Sequence, residues 1–170
     1  MTVQSTARFA TSTVESAATP EAVWTLLADV GTWSQWAAFD ESVLERPGAD
    51  HSQGVGAIRR FRRGRYHNRE EVVRFEAPHA LSYEVRSGNI PVRDYHADVV
   101  LQERPEGGTI ITWRSRFNAH WPLAPLIERG LRTFIADTAV RLAATAEARA
   151  HPTSGGQLTT AAPGSMGSSV

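Results

Sequence analysis

The sequence lacks cysteine and lysine altogether and has no long apolar run. Without cysteine there are no disulfides and no thiolate metal sites. No apolar segment approaches the roughly 18 residues that a membrane-spanning helix needs. The first residues have neither a positive start nor an apolar segment, so we expect no signal peptide and a cytoplasmic protein.

The charges of the chain cancel, because 18 arginines face 18 acidic residues. General binding to nucleic acid requires an excess of basic groups, so no nucleic-acid partner is expected. A length of 170 residues favours one domain. We place that domain at residues 1–150, and residues 151–170, rich in Gly, Ser, Thr and Ala, predict a disordered tail.

The first forty residues predict a strand followed by two short helices. Beta-branched residues and alternation indicate a strand over Arg8–Ser16. Thr19 followed by Pro20 is typical of a helix start, and Gly31 is expected to end that helix. A second helix is predicted over Thr32–Trp36.

From residue 40 to 118 the apolar residues recur with a period of two, in six segments separated by turn residues. Residues 122–149 instead show apolar residues at steps of three and four, which predicts one long amphipathic helix. The helix must bury its stripe against the sheet. The fold class is therefore α+β, a helix-grip with a seven-stranded curved antiparallel sheet around the C-terminal helix and a cavity between them.

Several segments together resemble the SRPBCC superfamily, in particular its polyketide cyclase/dehydrase branch, which is related in fold to START and Bet v 1-like proteins. They are TPEAVWTLLADVGTWSQW, GVGAIRR, FEAPHALSYEV, IPVRDYHADVVL and GGTIITWRSRF. The resemblance covers residues 6–149 and implies a pocket for a hydrophobic or aromatic small molecule. It implies no cofactor and no shared set of catalytic residues.

Alternation predicts which side chains of three strands point toward that pocket. The inward sets are Leu81, Tyr83, Val85 and Ser87; Tyr95, Ala97, Val99 and Leu101; and Ile111, Trp113, Ser115 and Phe117. In residues 66–76 the pattern is ambiguous, because Val73 and Phe75 alternate with Glu71 whereas Val72 does not, and a bulge would reconcile them. The inward face of residues 40–48 also stays open.

The segment GAIRRFRRGRY, residues 56–66, carries five arginines and has three interpretations. Arg60 and Arg62 are expected in water, paired with Glu70, Glu71 and Glu76 of the next strand. Arg59 or Arg63 would instead point inward, toward an anionic or carbonyl group of a ligand. The third interpretation is a surface for a protein or nucleic-acid partner.

The candidate site residues are mostly aromatic. For ligand binding they are Trp36, Phe61, Tyr83, Tyr95, Trp113, Ser115, Phe117, Gly130 and Phe134. The weak catalytic candidates are Tyr83, Tyr95, Glu71 and Arg59, since phenols with an acid or a cation can polarise a carbonyl and move a proton. No metal is expected, because the spacing of His67, His96, His120 and Asp98 brings no pair together.

We therefore expect a protein that binds a hydrophobic, lipid- or polyketide-like small molecule, as a monomer or weak dimer. The first alternative is a polyketide cyclase/dehydratase acting on an aromatic intermediate in the same cavity. The second is an interaction module that uses the arginine-rich strand.

Overall fold

The computed structural model describes residues 6–119 and 122–151. The strands are β1 (Thr6–Ser16), β2 (Glu41–Arg46), β3 (Ile58–Arg63), β4 (Tyr66–Glu76), β5 (Ala80–Gly88), β6 (Arg93–Glu103) and β7 (Thr109–Ala119). The helices are α1 (Pro20–Ala28), α2 (Trp33–Trp36) and α3 (Ala124–Ala150), with a 3-10 turn at Val30–Thr32 between the first two. The expected tail falls on residues 151–170, of which all but His151 lie outside the described residues.

The strands form one antiparallel sheet in the order β1-β7-β6-β5-β4-β3-β2. The long helix α3 packs across β1 and β7, and its buried side chains include Ile135, Ala139 and Leu142. This confirms the predicted helix-grip, with α3 two residues from the predicted start. Among the described residues, no helix has both the length and the apolar character to cross a membrane.

Helix α1 starts as predicted but ends three residues early. The Thr19 hydroxyl accepts a hydrogen bond from the Ala22 N–H at 3.4 Å, and Pro20 occupies the first turn. The helix stops at Ala28 because Asp29 adopts an extended conformation, and the Asp29 carboxylate accepts from the Gly31 N–H at 2.9 Å. Gly31 thus lies within the 3-10 turn, so the prediction that it ends the helix is wrong.

The outward arginines of β3 find their partners on β2, so the predicted pairing with β4 is wrong. Arg60 lies 2.7 Å from Glu41, and Arg62 lies 3.4 Å from Glu41 and 3.6 Å from Asp40. The reason is the register, which places Arg69 of β4 opposite Arg60 and leaves the acidic residues on the β2 side. Arg60 and Arg62 do point outward, as expected.

One bulge decides which side chains of β4 point inward. The register with β5 shifts between Val72 and Arg74, where Val73 is the extra residue on β4; the other shift, between Arg69 and Glu70, has its extra residue on β5. Ahead of the bulge at Val73, Glu70 and Val72 alternate on the inner face and are buried. Glu71 points outward and binds Arg86 at 2.8 Å.

Candidate ligand-binding cavity

A cavity of about 340 Å³ lies between the inner face of the sheet and the first half of α3. Its walls are mainly apolar, as expected for a small-molecule site. The aromatic lining residues are Trp33, Phe39, Tyr66, Tyr83, Tyr95, Trp113 and Phe134. The aliphatic ones include Val85, Ile90, Val92, Ile127, Leu131 and Ile135, and the polar ones include Arg63, Asn68, Glu70 and Thr138.

The sheet contributes an aromatic wall from neighbouring strands. The rings of Tyr83 on β5 and Tyr95 on β6 stack with centroids 6.3 Å apart, and Tyr95 stacks on Phe117 of β7 at 6.4 Å. Trp113 of β7 meets Trp33 of α2 edge to face at 5.8 Å. The two-residue period of these strands places the rings together, as cross-strand neighbours on one face.

The deep end of the cavity carries a buried carboxyl group, Glu70. The Asn68 side-chain amide donates a hydrogen bond to Glu70 Oε1 at 2.6 Å. Burial raises the pKa of Glu70 to about 7, although the Asn68 hydrogen bond and the positive charge of Arg59 oppose the shift. Glu70 is therefore able to gain or lose a proton near neutral pH.

Two phenols face the same region. The hydroxyls of Tyr95 and Ser115 are hydrogen-bonded at 2.9 Å. Burial raises the pKa of Tyr95 to about 12 and raises the pKa of Tyr83 well above its ordinary value. Both phenols are therefore uncharged at neutral pH and act as hydrogen-bond donors or acceptors rather than as anions.

Both charged catalytic candidates, Arg59 and Glu71, lie away from the cavity. Arg59 is fully buried, and its Nη2 donates to the carbonyls of Ala28 at 2.8 Å and Gln53 at 3.4 Å. It points to the carboxyl end of α1, where carbonyl groups lack helical partners and a cation is favoured. Glu71 is on the outer face because it alternates with the buried Glu70 and Val72 ahead of the bulge at Val73, so Glu70 is the carboxyl group that faces the cavity.

Of the predicted ligand-binding residues, Tyr83, Tyr95, Trp113, Gly130 and Phe134 line the cavity. The other predicted residues sit one layer behind it: Trp36, Phe61, Ser115 and Phe117 are all buried in the core. They support the lining side chains, since Phe61 packs on Trp33 at 5.2 Å and Ser115 holds the Tyr95 hydroxyl.

Sequence reasoning missed much of the lining. Trp33 was assigned to a helix but not to the cavity, and Phe39 lies in the link that follows. The inward positions of Glu70 and Asn68 depend on the bulge at Val73, which no turn residue marks in the sequence. The three-residue spacing of Trp33 and Trp36 places both rings on one side of the short helix, and this spacing could have indicated that Trp33 faces the interior.

The mouth of the cavity is formed by the β3–β4 hairpin and the first half of α3. Arg63 lies there with its guanidinium carbon 5.5 Å from the centre of the Phe134 ring. Gly130 faces it from the helix, and a Cβ added to Gly130 would meet no atom within 4 Å. The mouth is thus a gap with an aromatic ring, a cation and a glycine around it.

Within residues 6–119 and 122–151 no three potential ligands among His, Asp and Glu come together to hold a metal ion. His96 is on the outer face, 3.2 Å from Asp98 and 3.4 Å from Glu84. The expectation that spacing brings no pair of these groups together is therefore wrong for His96 and Asp98, which lie two residues apart on one face of β6. His67 is exposed at the hairpin, and His120 lies outside the described residues.

Solved structures share this fold at low sequence identity. A START superfamily protein from Mycobacterium smegmatis superposes with a TM-score of 0.71 and 13% identity, over 82% of this chain and 97% of that one. The protein XoxI from Bacillus cereus superposes with a TM-score of 0.68 and 16% identity, over 81% of this chain and 94% of that one. A point mutant of Thalictrum flavum norcoclaurine synthase, in complex with a transition-state analogue, superposes with a TM-score of 0.66 and 16% identity, over 87% of this chain and 99% of that one.

The sequence comparison with curated proteins gave no match. The profile of the family described as polyketide cyclase/dehydrase and lipid transport matches residues 8–147, which span nearly all of β1 and α3 and the whole of the other six strands. The matched region includes every residue that lines the cavity. The chain therefore belongs to this polyketide cyclase/dehydrase and lipid transport family, within the SRPBCC superfamily.

Proposed function

We propose that the protein binds an apolar or aromatic small molecule in the cavity between the sheet and α3. The observation that carries the proposal is the cavity itself, about 340 Å³ in volume and lined by seven aromatic side chains. This volume is at the lower end of the roughly 300–1,000 Å³ typical of small-molecule sites, so the ligand is compact. The family, described by lipid transport as well as by cyclase activity, supports the same conclusion.

Tryptophan fluorescence tests the proposal, because Trp33 and Trp113 line the cavity whereas Trp24 packs on Phe75 at 5.0 Å outside it. An apolar quencher such as 1-nitronaphthalene should quench the fluorescence in a saturable manner. Trp33→Phe and Trp113→Phe should each reduce the quenched fraction, and the matched control Trp24→Phe should not. Quenching that does not saturate, or that is reduced only by Trp24→Phe, would argue against ligand binding in the cavity.

A second candidate is the cyclase/dehydratase activity, and the position of Glu70 favours it. An ionised Glu70 would accept a proton from a carbon next to a ligand carbonyl. The electron pair of that C–H bond would move onto the carbonyl oxygen, which a phenol O–H of Tyr83 or Tyr95 would stabilise. Attack of this enolate on a second carbonyl forms a ring, and loss of water completes the dehydration without any oxidant.

Hydrogen–deuterium exchange isolates the first step of that chemistry. The methyl protons of 2-acetylnaphthalene in D₂O should exchange faster with the protein than without it. Glu70→Gln should slow the protein-dependent exchange by on the order of 10²-fold or more. The neighbouring control Glu71→Gln should not, because Glu71 is on the outer face.

Tyr83→Phe and Tyr95→Phe separate carrier from catalyst. In a carrier each change should alter ligand affinity by about 1 kcal/mol, the net contribution of one hydrogen bond. In a catalyst the loss of the phenol that stabilises the oxyanion should slow exchange by about 10²-fold with a smaller effect on affinity. If exchange is no faster with the protein than without it, the catalytic candidate is excluded and only the carrier function remains.

A further inference from the structure

The inner face of the β3–β4 hairpin carries an ordered set of polar groups from the mouth of the cavity to its deep end. The cross-strand pairs are, in that order, Arg63 with Tyr66, Phe61 with Asn68, and Arg59 with Glu70. Tyr66, Asn68, Glu70 and Arg63 all line the cavity. The hairpin therefore places a cation at the mouth and a carboxyl group inside.

Arg63 differs from the two outward arginines of its strand, and also from Arg59, which is buried against the carbonyls of Ala28 and Gln53. Arg60 and Arg62 are bound to carboxylates of β2 or the preceding link. Arg63 has no carboxylate within 4.0 Å in the part of the chain that the structure describes, and its guanidinium instead lies over the Phe134 ring. Asp40, the acid at this hairpin, is already held by the Gly64 N–H at 2.6 Å and by Arg62.

Tyr66, opposite Arg63, adds a hydrogen-bond donor at the mouth. Its hydroxyl accepts from Arg65 Nη2 at 3.3 Å, and the Arg65 guanidinium lies 5.2 Å from the centre of the ring. The phenol proton of Tyr66 is therefore left to donate to another acceptor. A guanidinium and a phenol O–H from a cross-strand pair that lines the mouth suit a carboxylate, whose two oxygens accept from both.

The deep end disfavours an anion. Glu70 is buried there, and above pH 7 its own negative charge would repel a second carboxylate. The cation opposite it on β3, Arg59, does not line the cavity and donates instead to the carbonyls of Ala28 and Gln53. Glu70 lies four positions after Tyr66 along β4, which corresponds to roughly 13 Å at about 3.3 Å per residue. An amphipathic ligand thus has one favourable orientation, with its anionic end at the mouth and its apolar body among the aromatic rings.

We propose that the ligand class is an apolar or aromatic molecule with one carboxylate, which Arg63 and Tyr66 bind at the mouth of the cavity. This inference rests on the proposed function, since it specifies the ligand of the same cavity. It assigns Arg63 a role in binding and in ligand selection. Arg63 lies too far from Glu70 to take part in a proton transfer there.

Calorimetric titration with decanoate and with methyl decanoate at pH 8 tests this assignment. The two probes share their apolar chain and differ only in charge. The wild type should bind decanoate about tenfold more tightly than the ester, because hydrogen bonds to charged groups are the stronger ones. Arg63→Gln should abolish this preference and leave the affinity for the ester within about twofold.

Arg62→Gln is the matched control, because Arg62 is adjacent in the chain but points outward toward Asp40 and Glu41. It should keep the wild-type preference for decanoate. If the ester binds as tightly as the acid, or if Arg63→Gln retains the preference, the carboxylate site is overturned while the cavity stands. If neither probe binds, the proposed function itself fails.

Discussion

Replacing Glu70 by glutamine should stabilise the protein in a manner that depends on pH. The side chain of Glu70 is 6% exposed, and burial raises its pKa from 4.5 to about 7. In the unfolded chain the carboxyl group releases its proton near pH 4.5, whereas the folded state holds the proton until about pH 7. The unfolded state therefore binds fewer protons between these values, and stability falls as the pH rises through that window.

The size of the effect follows from the shift. Each pKa unit corresponds to about 1.36 kcal/mol, so the ionisation of Glu70 should lower the free energy of unfolding by on the order of 3 kcal/mol in total. Glutamine has the same shape, accepts the same hydrogen bond from Asn68 through its Oε1, and does not ionise. The free energy of unfolding therefore falls with rising pH through this group in the wild type and does not in Glu70→Gln.

Urea denaturation of both proteins at intervals from pH 4 to pH 8.5 measures this directly. The difference in free energy of unfolding, variant minus wild type, should be smallest at pH 4 and should rise to about 3 kcal/mol above pH 7. All other titrating groups are common to both proteins and cancel in the difference. A difference that stays constant over the whole range would refute the assignment of Glu70 as a buried carboxyl group.

Three further predictions concern packing, the C-terminal residues and the arginine-rich strand. Leu142→Ala should cost about 2–5 kcal/mol in urea denaturation, and Phe134→Ala should cost less because its ring is only half-buried beside the cavity; the reverse order would contradict the packing of α3. Truncation after Ala150 should leave the melting temperature within about 2 °C, as low hydrophobicity predicts, and a large drop would show that the tail contributes to stability. Charge reversal of both Arg60 and Arg62 should not affect small-molecule binding, and the wild type should not bind DNA or RNA tightly; salt-sensitive sub-micromolar binding that the double variant loses would contradict this.

The fold could be predicted because its signals are local. In β5, β6 and β7 the apolar residues alternate without interruption, so the inward positions of Tyr83, Tyr95 and Trp113 are confirmed by their burial. The start of α1 is confirmed for the same reason, since its capping group is adjacent in the chain. The C-terminal half of α3 shows a weaker signal, because much of its buried face is alanine.

The site could be predicted only in part, because its polar groups depend on long-range geometry. The inward carboxyl group is Glu70 rather than Glu71 because a bulge at Val73 breaks the alternation that links Glu71 to Phe75, and a bulge arises from the pairing of two strands rather than from one of them. The partners of Arg60 depend on which strand pairs with β3 on the side away from β4. That strand is β2, and the link of residues 47–57 between β2 and β3 gives no local signal of the pairing. Arg59 could not be assigned from alternation alone, because its partners are carbonyls of α1 and of that link.

The most direct test of ligand binding in the cavity is calorimetric titration of 2-acetylnaphthalene into the wild type and into Gly130→Leu. Gly130 faces the cavity, and the added side chain would extend into open space there rather than into protein atoms. The wild type should bind one equivalent, and Gly130→Leu should bind at least tenfold more weakly. Thr133→Leu, which places the same leucine side chain at an exposed position of α3 outside the cavity, should bind like the wild type. Equal binding by all three proteins, or no binding by the wild type, would contradict the account.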